Sequence, residues 1–271
     1  MSAGSPERPR LRKREIAFAI AMGALAAGGA ALFVADDGPS APGDAIEAIS
    51  GAREISYQAA DFDEISTSGP QDVVVTRGDS FAVRSEGSPE ALAQLEAVNI
   101  NGRLTIRPKP GFNWGNWRSL APATFYVTLP RLDAVAVAGS GDITIDRVEG
   151  ESFEGQIAGS GSLAISAMKV DRANFFIGAA GGGSGDVVVS GTARDAHVTI
   201  AGSGEVKAGG LRSETASISI MGSGDVALDV EDEAKVSIAG SGDVDISGPA
   251  RCSVTQMGSG DVRCAGGGGT D

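Results

Sequence analysis

The chain is 271 residues long, with 42% hydrophobic and 21% charged residues and a net charge of −13. Gly numbers 40 while aromatics are only 5%, which argues against a helical bundle and for a light, turn-rich polymer. The acidic balance excludes a phosphate-tracking surface, since nucleic-acid binding rests on Lys and Arg displacing counterions; one His and two Cys leave little for metal or nucleophilic chemistry.

The first 35 residues form a separate object. Arg8, Arg10, Arg12, Lys13 and Arg14 precede an apolar run, 16–34, that holds no charge and no Pro. That length suits a bilayer, and the basic flank predicts the N-terminus inside and the remainder exported. Two outcomes share the signal: a cleaved signal peptide, or an uncleaved anchor in the inner membrane. Gly28-Gly29-Ala30 offers small residues to a peptidase but lies inside the run, and Ser40-Ala41 is followed by Pro42, so the cleavage signal is the weaker one. Localisation is accordingly expected as inner-membrane anchored with the domain in the periplasm, or secreted after cleavage. Residues 36–52 mix Pro, Gly, Ala and acids as a flexible linker does.

The folded part is expected over 53–264, with 265–271 as a flexible tail. Val73-Val74-Val75, Phe81-Ala82-Val83, Leu104-Thr105-Ile106 and Phe125-Tyr126-Val127 read as strands, and Ser88-Pro89-Glu90 opens a short helix with Ser as N-cap and Pro at its first position. This stretch predicts irregular first coils that cap the end of a repeat array. Phe112, Trp114 and Trp117, between Pro110 and Pro122, make the most aromatic segment. Trp114 and Trp117 could bind a sugar ring or a partner, or fold over the side of the domain as a lid.

From residue 139 the sequence repeats. Gly-Ser-Gly begins at Gly139, Gly159, Gly183, Gly202, Gly222, Gly240 and Gly258, at steps of 18 to 24 residues. Around each copy β-branched residues alternate with small polar ones, as Val236, Ile238, Val244 and Ile246 do around the sixth. Each unit is therefore strand, Gly-Ser-Gly corner, strand and return. One unit cannot bury its apolar side alone, so units must stack into an all-β β-solenoid, most simply a right-handed parallel β-helix. The 24-residue step, with Gly181-Gly182-Gly183, predicts a bulge.

With the repeat goes a second set of motifs: Phe62, Ile65 and Gly69 at the start, Asp72-Val73-Val74-Val75-Thr76-Arg77-Gly78-Asp79, Gly102-Arg103-Leu104-Thr105-Ile106, and Thr128-Leu129-Pro130-Arg131-Leu132. From about Phe62 to Val262 the chain resembles the head GIN domain family, the auto-transporter adhesin heads of bacterial envelopes. The resemblance implies a single-stranded right-handed parallel β-helix outside the membrane and brings no catalytic residues. Nothing in the chain looks like an auto-transporter barrel.

Six corners are followed by an acid: Asp142, Asp186, Glu205, Asp225, Asp243 and Asp261, with Ser162 breaking the series. Stacked, they form a column of like charges that either binds cations such as calcium or caps backbone N–H groups, the second fitting better because the calcium nonapeptide pattern is missing. His197 falls on the outward parity, away from catalysis. Cys252 and Cys264 share the inward parity of the last coil and suit a disulfide in an oxidising compartment.

The sequence thus points to a non-enzymatic, exported envelope protein, adhesin-like or scaffold, without cofactor. Its partner is an unknown protein or glycan of the envelope, with no nucleic acid, and its membrane contact is the N-terminal helix. A carbohydrate-binding or carbohydrate-active β-helix, and a periplasmic stress or signalling module, are the rival readings.

Overall fold

A computed structural model of the chain describes residues 48–51, 54–112 and 122–270, with the side chains of 48–51, 179–182 and 268–270 left aside. The apolar run 16–34 and both tryptophans lie outside the described residues. Among those described, no helix is long and apolar enough to cross a membrane.

Eighteen strands and one short helix make up the described part. Its regular portion consists of β10 (Ile143–Gly159), β11 (Leu163–Gly183), β12 (Val187–Gly202), β13 (Glu205–Gly222) and β14 (Asp225–Gly240), each running around most of one coil. Consecutive coils pair in parallel and nearly in register, as Ile143↔Leu163, Leu163↔Val187, Val187↔Val206 and Val206↔Val226 show. The chain is therefore an all-β protein built as a β-solenoid. The last coils are shorter strands: β15 (Val244–Ser247), β16 (Arg251–Gly258), β17 (Val262–Cys264) and β18 (Gly268–Thr270).

Burial follows the period of two until a corner. In β10 the buried residues are Ile143, Ile145, Val148, Phe153, Gly155 and Ile157; the alternation breaks at 146–147 and again at 149–152, where the chain bends. Each coil thus has three sides around one core, and each fully buried Val, Leu or Ile contributes about 1.5–3 kcal/mol. Packing is compensated between coils. Gly155 stands in a column otherwise occupied by Val135 and Phe175, and a Cβ there would press on Leu163 and the Phe175 ring. The expected bulge is present as a shift of register between Gly178 and Gly183.

The stack begins 70 residues before its second coil. Strands β3 (Glu64–Gly69) and β4 (Asp72–Arg77) meet at the corner Gly69-Pro70-Gln71 and form the first rung. The next rung, β9 (Ala134–Gly139) and the start of β10, pairs with them in parallel, Ile65 beside Val135 and Val73 beside Ile143. The intervening chain closes the open end. β6 (Leu95–Ile100) and β7 (Arg103–Pro108) form an antiparallel pair that extends one side beyond β3. β8 (Ala123–Leu129) and β5 (Ala82–Gly87), with β2 (Glu54–Tyr57) and β1 (Ala48–Gly51), extend the other beyond β4, and β5, β2 and β1 run antiparallel to their neighbours. Ending a parallel stack in antiparallel pairs protects its edge. Helix α1 (Pro89–Gln94) has Ser88 as N-cap, its side chain accepting the Ala91 N–H, and buries Ala91 and Leu92.

Two stretches expected as linker and tail carry strand pairing. β1 lies inside 36–52, and β18 lies inside 265–271, where it pairs with β16. Cys252 and Cys264 are joined across the last coil, their Cα atoms 6.4 Å apart.

Candidate functional site

The corner is the element every coil shares. Its first glycine has φ between +136° and +152° at Gly139, Gly159, Gly202, Gly222, Gly240 and Gly258, a region that favours glycine. Its serine donates its N–H to the carbonyl oxygen of the first glycine one coil earlier, at 2.9–3.2 Å from Ser140 to Ser259. The second glycine is required for a different reason: a Cβ there would overlap the carbonyl of the residue beneath, Gly141 on Gln71, Gly161 on Gly141, and so to Gly260 on Gly242. The corner is therefore two stacked columns of glycine with a column of exposed serines between them. Ser160 and Ser184, and Ser241 and Ser259, bring their hydroxyls within 3.3 Å of one another.

At the foot of these columns sits Gln71, 1% exposed. Its amide nitrogen donates to Thr67 Oγ1, the Ser68 carbonyl and the Ile106 carbonyl, so a side chain satisfies the end that has no further corner beneath it. Its Oε1 has no partner among the described residues.

The acids after the corners use the same stacking. Asp72 Oδ1 accepts the N–H of Asp142 at 2.9 Å, and Asp142 Oδ1 accepts that of Ser162 at 2.8 Å. Further along, Asp186 accepts from Glu205 at 3.1 Å, Asp225 from Asp243 at 2.8 Å and Asp243 from Asp261 at 2.8 Å. Each aspartate thus caps the N–H of its counterpart one coil on. Where the longer Glu205 stands, the next N–H, that of Asp225, goes to the Gly204 carbonyl. Among the described residues no three His, Cys, Asp or Glu side chains converge as a metal site would require. Sequence reasoning missed Asp72, because its corner reads Gly-Pro-Gln rather than Gly-Ser-Gly.

The three sides of the solenoid differ in charge. The side leaving the corner carries the acidic column, and next to it Lys207, which pairs with Glu205 at 2.6 Å; that contact pushes the Lys207 ammonium up. Glu205, Asp225, Asp243, Asp261 and Arg263 border a shallow groove there of about 180 Å³. The far side is a lattice of exposed ion pairs, Arg212 with Glu231 at 3.2 Å and Arg194 with Asp195 at 3.3 Å, and Glu233 at its edge reaches Lys235, which stands in the row of His197 on the side entering the corner, at 3.3 Å. The Thr215 hydroxyl donates to Asp195 at 2.8 Å and holds its carboxyl below the usual range. Arg77 does the same to Glu149.

The side entering the corner is uncharged along two rows. One runs in register from Ser66 through Ala136, Gln156, Phe176 and Thr199 to Thr255; its neighbour ends in Ala201, Met221, Ala239 and Met257. His197 is exposed at the margin of this side, between Asn174 and Ser217. A cation–π pair unforeseen from sequence lies on β5 and β8, where the Arg84 guanidinium sits 4.0 Å from the Tyr126 ring centre and Tyr126 donates to Glu86 at 3.2 Å. The candidate binding residues Trp114 and Trp117 lie outside the described residues.

These features define a class: a β-solenoid whose outward side chains form uniform columns, one column per position of the repeat. The family described as "Putative auto-transporter adhesin, head GIN domain" matches residues 61–250, and the chain belongs to it. Similar solved structures share the fold at low identity. One, a "putative adhesin" from Bacteroides fragilis, superposes with a TM-score of 0.68 at 19% identity, covering 77% of this chain and 94% of that one. Another, a "putative lipid binding protein" from Parabacteroides distasonis, gives 0.60 at 22% identity, and a "putative adhesin" from Parabacteroides merdae gives 0.60 at 17%, both with the same coverage. No curated protein matches the chain.

Proposed function

We propose that this chain is an exported, non-enzymatic envelope protein that offers the sides of its solenoid as an adhesive or scaffold surface. The observation that carries this reading is the sorting of outward residues into in-register columns on a rigid parallel stack, within a family described as adhesin heads. A rigid repeated surface is what a solenoid offers physically. The right-handed coil follows from the rule for parallel crossovers. The apolar run 16–34 with its basic flank supports export, either as an inner-membrane anchor with the domain in the periplasm or as a cleaved signal.

Expression of the chain with its native N-terminus in a bacterial host, fractionation and mass measurement test this. A membrane-impermeant amine reagent applied to spheroplasts should label the full-length chain in the inner membrane, or a shortened chain should appear in the periplasm or medium. A full-length chain that labels only after lysis would overturn the reading.

A further inference from the structure

We infer that Asn101 is a site of spontaneous deamidation, and that the side chain of Asn99 sets how fast it is used. β6 ends at Ile100 and β7 begins at Arg103, and the two residues pair across a loop made only of Asn101 and Gly102. Both loop residues have positive φ, +54° and +84°, the backbone of a type I′ turn, which favours Asn followed by Gly. The residues that shape the turn also make it labile, because glycine puts no side chain in the way when its main-chain nitrogen attacks the preceding asparagine amide. Of the chain's asparagines only Asn101 precedes a glycine, and it is exposed to water.

The step balances without a cofactor. The Gly102 nitrogen loses its proton and bonds to Asn101 Cγ, the Cγ–Nδ2 bond breaks, and ammonia leaves with that proton. Water then opens the cyclic imide at one carbonyl or the other, giving isoaspartate or aspartate. In the folded chain the attacking nitrogen is engaged elsewhere. The Gly102 N–H donates to Asn99 Oδ1 at 3.0 Å, and Asn99 Nδ2 donates to the Ala60 carbonyl at 2.7 Å, which fixes the way that amide faces. Asn99 is thus a positioning residue that withholds the nitrogen until the turn opens. The product matters to the fold. The Gly102 carbonyl accepts the Asp63 N–H at 3.1 Å and so ties the turn to the segment that enters the first rung. Isoaspartate adds a main-chain carbon to a loop whose length sets the pairing of Ile100 with Arg103, so the register of β6 on β7 and the tie to Asp63 are disturbed together.

Incubation of the full chain in mildly alkaline buffer, followed by peptide mapping and mass measurement, tests this. The peptide carrying Asn101 should gain the mass difference between an amide and an acid, faster as pH rises, while the peptide carrying Asn174 stays unchanged. The guanidinium-unfolded chain should convert faster than the native one. Asn99→Ala should speed the folded chain at least about threefold, the factor that one lost hydrogen bond supplies, whereas Asn99→Asp keeps an acceptor and should convert more slowly than Asn99→Ala. Leu92→Ala empties a buried position of α1 at the same end of the solenoid but leaves the Asn99 bond, so it should speed conversion less than Asn99→Ala. A native chain unchanged at Asn101 long after the unfolded chain has converted overturns the site. Equal rates in the native chain and Asn99→Ala, or equal acceleration by Leu92→Ala, overturn the role of Asn99. Should Asn99→Ala misfold, hydrogen exchange at the Gly102 amide of the native chain decides, since exchange as fast as in the unfolded chain would mean that Asn99 does not hold it.

Discussion

The carboxylate of Asp225 accepts the backbone N–H of Asp243 at 2.8 Å, one coil further along the solenoid. A column of like charges is tolerated because Asp72, Asp142, Asp186, Asp225 and Asp243 each give a carboxylate oxygen to a backbone N–H of the coil above. Removing that acceptor leaves an N–H near the surface, where water takes part of the load. Asp225→Ala should therefore cost about 0.5–1.5 kcal/mol. Asp225→Asn keeps an acceptor and removes a charge from the column, so it should lie within about 0.5 kcal/mol of the native chain. Thermal unfolding with and without calcium checks both. A rise in Tm on adding calcium, abolished by Asp225→Asn, would show a bridging cation instead of a cap.

Gly222 and Gly150 are both glycines of the repeat region, and their environments are opposite. Gly222 has φ +136°, and a Cβ on it would overlap the Gly202 carbonyl; Gly150 has open space around it. Gly222→Ala combines backbone strain with a clash against main chain that cannot yield without breaking the stack, and should cost about 3 kcal/mol or more. Gly150→Ala should stay within about 0.5 kcal/mol. Chemical denaturation of the two variants side by side separates the claims, since equal losses would mean that the corner can relax.

The contrast also explains what the sequence could convey. The corners, the alternation of Val236 and Ile238 and the bulge near Gly183 were legible because a repeat writes the same local chemistry seven times, and the helix after Ser88 because its cap and its proline are local signals. The first rung was not. Gly69-Pro70-Gln71 departs from the motif, and its partner Gly139 stands 70 residues later, so neither spacing nor parity links them. Gln71 is buried because the fold sets it beneath the first Gly-Ser-Gly corner, under Gly141, a placement that local sequence does not carry. The acidic column was legible as a column; that its bonds run between coils, and that Asp72 begins it, depends on stacking. The two uncharged rows were hidden because a row of one residue per coil is invisible until the register is known.

Glu154 gives the solenoid a pH dependence of identifiable sign. Burial raises its carboxyl above the ordinary 4.5; the Gln156 amide at 2.6 Å lowers it, Glu64 raises it, and Arg103 lowers it. A group whose folded pKa is raised binds more protons folded than unfolded, so stability falls as pH climbs from about 4.5 to the raised value and stays lower above it. Glu154→Gln removes the ionisation. Its Tm should exceed that of the native chain at neutral pH and converge with it well below pH 4.5. A gain that persists unchanged into acid would assign the effect to packing.

The Cys252–Cys264 bridge closes a loop of 12 residues on the last coil, where, among the described residues, β17 pairs with β15 and β18 with β16 on one edge only. A short loop yields modest stabilisation, about 2–3 kcal/mol, by restricting the unfolded chain. In a stack whose coils contact only their neighbours, the loss on reduction should be local before it is global. Hydrogen exchange on Cys252→Ser, Cys264→Ser should therefore show faster exchange in β16 to β18, with β10 to β12 unchanged. Uniform acceleration through the whole stack would mean that the coils unfold as one unit and that the bridge supports all of them.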